Sequence, residues 1–323
     1  MTVGPFTPLD DRFHFGEMSD RWWITETCWF SFCCPERRLG GWLYIMVRPN
    51  IGTLAGGAWV WDDSAALPWE VLYSANYSAM RFPRDQDLTD CQLPTGVAIR
   101  MLKPLTTYDL RYRDEELIDI NLRFTAIMAP HALGTTSSSL GHLSHFDQFG
   151  HVEGTLTLHG NEIGIDCLAM RDRSWGPRPE HRPRRNAYVT GVSRSERGFL
   201  AVANPATHED TVAYGFLLDQ GEVRDLVRGS RQVERDPGTG WITKVTIIAT
   251  DEEGRRFRAE GTPVSRIVLN RHTFIDVNSL VRWEMDDGAI AWGEDQDIWP
   301  VHEWSRFRRE ARTKPPHGPA PRA

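Results

Sequence analysis

The sequence predicts an all-β protein, built as two consecutive antiparallel barrel or sandwich domains with little helix. Three observations carry this. Short runs of β-branched and aromatic residues recur along most of the chain, with turn residues between them. No strand–helix–strand rhythm interrupts them. Thirteen tryptophans in 323 residues supply the large apolar surfaces that packed sheets bury.

Trp22 to Cys34 is aromatic and β-branched and stops at Pro35. Gly41 to Arg48 follows and closes at Pro49-Asn50, and Ala55 to Trp61 ends at Asp62-Asp63-Ser64. Their hairpin spacing predicts a meander, continued by Trp69 to Tyr77 and Val97 to Lys103. Tyr108 to Tyr112 and Leu117 to Met128 come next. Ile118-Asp119-Ile120-Asn121-Leu122-Arg123-Phe124 alternates strictly, the mark of a strand with one wet face. Ala129 to Gly141 turns small and polar and reads as a loop. His151 to His159 alternates again, Gly160-Asn161 is a hairpin turn signal, and Glu162 to Met170 is the return strand.

Pro177 to Arg185, with its prolines and basic residues, reads as a linker. Beyond it lie Tyr188 to Val192, Gly198 to Ala203, Thr211 to Leu218, Trp241 to Thr250, Arg255 to Gly261, Ser265 to Leu269, Phe274 to Glu284 and Ala289 to Asp297. Val301 to Arg312 reads as a short helix or a last strand. The division expected is residues 1–182, residues 183–312 and a disordered proline-rich tail over 313–323.

A net charge of −7 argues against a nucleic-acid binder, which needs a basic face for phosphates. The start of the chain has no basic segment followed by an apolar run, and no stretch approaches ~18 apolar residues. A cytoplasmic location is therefore expected. Cys28, Cys33, Cys34, Cys91 and Cys167 form an odd set without CxxC spacing, so buried free thiols are expected, and no metal site from them. Walker, GxSxG, HExxH and Rossmann patterns are absent, and no cofactor is expected.

Two places carry candidate chemistry. His142, His145, Asp147 and His151 form the densest histidine cluster. His142 and His145 are read in a loop, with metal ligation or acid–base work as alternatives to solvated side chains. The second place is Arg171-Asp172-Arg173-Ser174-Trp175-Gly176-Pro177-Arg178, read at a strand's end. A carboxylate between two arginines stays ionised; one desolvated against an indole becomes a proton donor. A structural network pinning the two domains together fits the same residues.

That motif, with the hairpin from Gly160 before it, resembles the Arg-Asp-His-Ser-Trp-Gly signature of the carotenoid 1,2-hydratase-like superfamily. Trp22 to Asn50, through Glu26-Thr27, Gly40-Gly41-Trp42 and Arg48-Pro49-Asn50, resembles the start of its bacterial members. The resemblance implies two lipocalin-like β domains. It also implies either hydration of an isoprenoid alkene or a pericyclic ring closure in a shaped pocket. Asp172 matches the motif aspartate, the proton-donor candidate of a hydratase. Arg173 stands where the motif has His, and a guanidinium does not shuttle protons.

The leading expectation is a lyase or isomerase without a cofactor, acting on an apolar terpenoid-type substrate by hydration, dehydration or a double-bond shift. Asp172 is the expected acid, with Glu26, Tyr44, His145 and Asp147 as candidates for base or water positioning. Trp23, Trp29, Trp59, Trp61 and Trp175 are expected to line the pocket, their faces stabilising a carbocation, with Arg171 and Ser174 beside them. A pericyclic cyclase and a non-catalytic carrier of hydrophobic ligands remain open. The expected partner is a hydrophobic small molecule, and a homodimer is left open.

Overall fold

The computed structural model describes residues 6–14, 20–132, 144–178, 184–206, 209–271 and 273–313. Eleven strands form the first sheet: β1 (Ile24–Cys34), β2 (Leu39–Arg48), β3 (Thr53–Trp61), β4 (Tyr73–Arg81), β5 (Asp90–Gln92), β6 (Val97–Lys103), β7 (Thr107–Asp114), β8 (Ile118–Ala126), β9 (His131–Ala132), β10 (Ser144–Leu158) and β11 (Asn161–Pro177). The order runs β4-β3-β2-β1-β11-β10-β8-β7-β6-β5, with β9 on β10. Eight more close a barrel: β12 (Asn186–Ser193), β13 (Gly198–Asn204), β14 (Asp210–Asp219), β15 (Glu222–Arg235), β16 (Ile242–Asp251), β17 (Arg256–Arg271), β18 (Phe274–Met285) and β19 (Ile290–Pro300). The helix α1 (Val301–Thr313) follows. The fold is all-β, in two lipocalin-like domains, as the sequence predicts. No described helix is long and apolar enough to cross a membrane.

Alternation decides which residues meet. In β8 Ile118, Ile120, Leu122 and Phe124 point inward while Asn121 and Arg123 face water. They join Phe30, Phe32, Leu43, Ile45, Val97 and Val152 in a core on the inner face of the first sheet. The barrel encloses a second core around Phe199, Phe257 and Trp283. The third layer lies between the domains. Trp29, Trp42, Trp59, Trp61, Phe149 and Met170 of the first sheet pack there on Val192, Leu200, Phe216, Ile267 and Leu269 of the barrel. Each large side chain buried in this way stabilises by about 1.5–3 kcal/mol.

Charged side chains fill one end of the barrel. Arg231 grips Asp295 through two hydrogen bonds (2.6 and 3.0 Å) and Asp210 through a third (2.6 Å), and it is fully buried. Arg235 pairs with Asp297 at 2.7 Å. Trp304 and Phe307 of α1 pack on Trp299, whose indole N–H donates to Asp297. These ion pairs and the second core both lie on the inner face of the barrel.

Several elements differ from the sequence reading. β10 begins at Ser144, so His145 and Asp147 lie in a strand rather than a loop. β11 runs on to Pro177 and contains the whole Arg171–Gly176 motif. The turn of this hairpin is His159-Gly160, both at positive φ (46° and 78°), one residue earlier than expected and of the kind that matches strand twist. β15 was not anticipated, and β4 starts at Tyr73. The two runs Arg255–Gly261 and Ser265–Leu269 are one strand with a bulge between Pro263 and Ser265. The expected boundary at 182/183, most of the Ala129–Gly141 loop, His142 and the tail from 314 lie outside the described residues. All five cysteines are buried and unbridged.

Candidate active site

The site is a row of side chains across four adjacent strands. Antiparallel register sets Asp147 of β10 opposite Asp172 of β11, Asp172 opposite Trp29 of β1, and Trp29 opposite Tyr44 of β2. Residues directly opposite share a face and lie within side-chain reach. The next row contains His145, Ser174 and Thr27. Both rows belong to the face that meets the barrel.

His145 Nε2 lies 3.3 Å from Asp147 Oδ1 and 3.2 Å from Asp172 Oδ2. The side chains of Asp147 and His145 are 0% and 8% exposed, and that of Asp172 is 17% exposed, so Asp172 is the most accessible of the three. Burial alone would discharge the imidazole, but the two carboxylates outweigh it and push its pKa up to about 10. At neutral pH His145 is therefore an imidazolium held between two aspartates. The barrel completes the group. Tyr188 of β12 donates a hydrogen bond from its hydroxyl to Asp147 Oδ1. Burial, and then the negative charge of Asp147 and Asp172, keep that phenol far above its usual pKa, so it acts only as a neutral donor. Tyr214 of β14 is raised by the same two causes, burial and Asp147. The ring of Trp29 sits edge-on to Tyr188 (6.2 Å) and to Trp42 (5.3 Å).

The opposite face of the same strands has a different purpose. Arg171, Arg173 and Trp175 alternate with Asp172 and Ser174 and point away from them. Arg171 reaches Asp11 (3.0 Å) and Gln148 (2.8 Å) and stacks on Tyr108. Arg173 reaches Glu26 at 2.5 Å and the carbonyls of Thr27, Ser174 and Arg12. Burial would raise the Glu26 carboxyl, but Arg173 and His14 hold it below 4.5. Trp175 stacks on His14 at 4.3 Å. This network ties the segment before β1 to the sheet.

The structure thus joins Asp172, His145, Asp147, Trp29 and Tyr44 on one face. It sets Glu26, Arg171 and Trp175 on the other, one sheet thickness away. The arginines that flank Asp172 in sequence do not face it, and neither does the indole of Trp175; its charge partner is His145. Arg173, the residue that departs from the motif, also lies away from Asp172, so the departure leaves the proton-carrying cluster untouched. Ser174 shares the Asp172 face and bonds Thr27 at 2.7 Å. Trp59 and Trp61 are part of the inter-domain layer, while Trp23 sits before β1 against Arg21 and Trp22. His151 pairs with Asp166 at an exposed site farther along the hairpin (2.8 Å). Tyr188 and Tyr214 were not anticipated; only the packing of one domain on the other brings them in.

His145, Asp147 and Asp172 each offer one ligand atom, all within 4.8 Å of one another. The same atoms would hold a divalent cation once His145 had lost its proton.

Tyr188→Phe removes the donor to Asp147. The expected result is a 10–100-fold fall in turnover, the usual scale for a group that orients a reacting cluster, with the melting transition retained. A steady-state assay beside a thermal melt checks it, and undiminished turnover would show that the tyrosine only packs.

Residues 7–301 match the family model described as a domain of unknown function, DUF7064. The chain belongs to that family. No curated protein matches the DUF7064 chain. Among solved structures it is similar to kievitone hydratase from Nectria haematococca, at 11% identity and TM-score 0.57 over 93% of this chain and 94% of that one. It is similar also to CghA, solved with Sch210972, at 11% identity and TM-score 0.52 over 85% and 88%. An AttH protein of Nitrosomonas europaea aligns at 12% identity and TM-score 0.50 over 88% and 96%. At these identities the likeness is one of fold, two lipocalin-like β domains.

Proposed function

We propose that the protein is a cofactor-independent lyase or isomerase. It adds water to, removes water from, or shifts a double bond in an apolar terpenoid-type substrate held between its two domains. One observation carries this reading: a histidine buried between two aspartates, with the more exposed aspartate opposite Trp29 of an aromatic layer. Kievitone hydratase, by its name a hydratase, shares the fold and supports the reaction class.

In the hydration direction the proton of His145 Nε2 passes 3.2 Å to Asp172, and Asp172 delivers it to an alkene carbon. The cation so formed lies against the Trp29 ring, a stabilisation of about 2 kcal/mol in a desolvated site. Water adds to the cation and loses one proton, which returns to His145. Alkene and water become alcohol, and the cluster ends as it began. Dehydration is the reverse sequence. A double-bond shift omits the water: the cation loses a proton from a neighbouring carbon.

A panel of terpene alcohols and alkenes incubated with the protein and read by mass spectrometry tests this. A mass change of one water, or an isomer of unchanged mass, is expected for at least one compound; prolonged incubation with no conversion of bound compounds would replace the enzyme reading with a carrier. Turnover is expected to survive EDTA and to fall with added zinc, which competes with the proton for His145, Asp147 and Asp172. Loss of turnover in EDTA would instead make the cluster a metal centre.

The pH dependence follows from His145. Its imidazolium persists until pH approaches about 10, so the rate is expected to hold through neutrality and fall on that alkaline limb. A rate that is flat from pH 6 to pH 11 would fit a cyclase that uses shape rather than a proton. The sign for stability agrees. A histidine raised from 6.5 to about 10 stabilises the fold fully below pH 6.5, and loses that contribution as pH rises through 10.

A further inference from the structure

The polar groups between the domains do not end at Asp172. Two strand spacings along the same row, about 10 Å away, stands Tyr44. The guanidinium of Arg271, at the end of β17, lies over the rings of Tyr44 (4.8 Å) and Trp42 (5.5 Å) and so bridges barrel and sheet. Asp276 of β18 is its counter-charge. The side chain of Asp276 is 2% exposed, yet its Oδ2 lies 3.9 Å from Arg271, beyond hydrogen-bond reach, and its Oδ1 has no hydrogen-bond partner among the described residues. Burial, against the weaker pull of Arg271, pushes the Asp276 pKa up to about 6. A buried carboxylate left this way is costly, and a gap of this width between carboxylate and guanidinium fits one bridging oxygen.

A hydroxyl oxygen suits the gap, because it donates to the carboxylate and accepts from the guanidinium at once. We propose that Arg271 and Asp276, beside Tyr44, form the second pole of the substrate site and bind a hydroxyl group at the end of the substrate remote from the carbon protonated by Asp172. The substrate class narrows accordingly, from an apolar terpenoid to a hydroxylated one, with an alkene or tertiary alcohol at one end and a free hydroxyl at the other. A water molecule is the competing occupant of the gap.

The inference rests on reading the Asp172 face as the substrate site, so its test measures binding rather than turnover. The probes are 4-prenylphenol and 4-geranylphenol, each paired with its methyl ether, which accepts a hydrogen bond but cannot donate one. Quenching of tryptophan fluorescence gives the dissociation constants. The expected result is a preference for each phenol of about ten-fold, the scale of one hydrogen bond to a charged group. Asp276→Leu is expected to bring the ratio within two-fold while the ethers bind as before, which also reports that the variant is folded; Arg271→Leu is expected to weaken phenol and ether alike, since both oxygens accept from the guanidinium. Asp172→Asn is expected to keep the preference, so a failure of the acid assignment and a failure of this pole give different results. Equal binding of phenol and ether by the wild-type protein, no binding of either, or a preference that survives Asp276→Leu overturns the proposal. The wild-type ratio decides the first two of these even if a variant does not fold.

Discussion

Replacing Asp172 by Asn is expected to lower turnover by at least ~100-fold, and as much as ~10,000-fold, the range for loss of a positioned general acid. The fold should be retained with a lowered melting temperature at neutral pH, since one of the two carboxylates that stabilise the His145 imidazolium is gone. Asn keeps the shape of the carboxylate and can still accept from His145 Nε2, so packing between β10, β11 and β1 is preserved. What is lost is the proton path proposed above, from the His145 imidazolium through Asp172 to the substrate. Asp147 cannot substitute, because its side chain is fully buried and its Oδ1 is held by Tyr188. One carboxylate fewer also weakens the field that keeps His145 charged. The alkaline limb of any residual activity should therefore move to lower pH. Full activity in Asp172→Asn would remove the acid from the mechanism and favour ring closure by shape alone.

The largest effect on stability is expected on the other face of the same strand. Arg173→Met strands Glu26, whose carboxyl is fully buried, and takes the donor from the carbonyls of Thr27, Ser174 and Arg12. Breaking a buried pair from one side typically costs about 3–5 kcal/mol. Adding Glu26→Leu should recover part of the loss, since the unpaired charge goes while the carbonyls stay short of a donor. Urea unfolding of the two single variants and the double variant forms a cycle that isolates the pair. Strict additivity would contradict the pairing. The acid limb carries the same information. Glu26 and Asp11 are held below their ordinary values of 4.5 and 3.8, so their stabilisation is present above those values and fades as pH falls through the lowered ones. Arg173→Met should flatten that limb. Turnover per folded molecule should change little, which separates this face from the Asp172 face.

The contrast between the two faces explains what could be read in the sequence. β1, β2 and β3 were legible from their aromatic and β-branched residues between turn signals, and β8 because its buried apolar positions alternate with polar ones. β15 was not: Arg231 occupies an inward position in Glu222–Arg235, so the strand looks polar on both faces. The start of β10 read as a loop for a related reason. His145 and Asp147 take positions that an ordinary strand would give to apolar residues, and local rules fail where a site is built into a core. Alternation along β11 already separates Asp172 and Ser174 from Arg171, Arg173 and Trp175. Only the register of neighbouring strands shows which face carries the site. Glu26 stood in the candidate set on its residue type, and nothing near it in sequence signals the distant Arg173 as its partner. Tyr188 lies within an ordinary apolar strand run, and its role exists only once the barrel is docked on the sheet. At the back of the site, Gly56 (φ 111°) passes so close to the Tyr44 carbonyl that a Cβ would lie 2.1 Å from that oxygen; a glycine pair in a strand marks such an approach without saying what it serves.

The central claim is that the ligand lies between the domains, against Trp29 and Asp172. A crystal structure of the protein soaked with 4-geranylphenol tests it most directly. Ligand density is expected beside the Trp29 ring, with an alkene carbon within about 4 Å of the Asp172 carboxylate. Density inside the barrel, or beside Arg173 and Glu26 with the inter-domain layer unaltered, would contradict it.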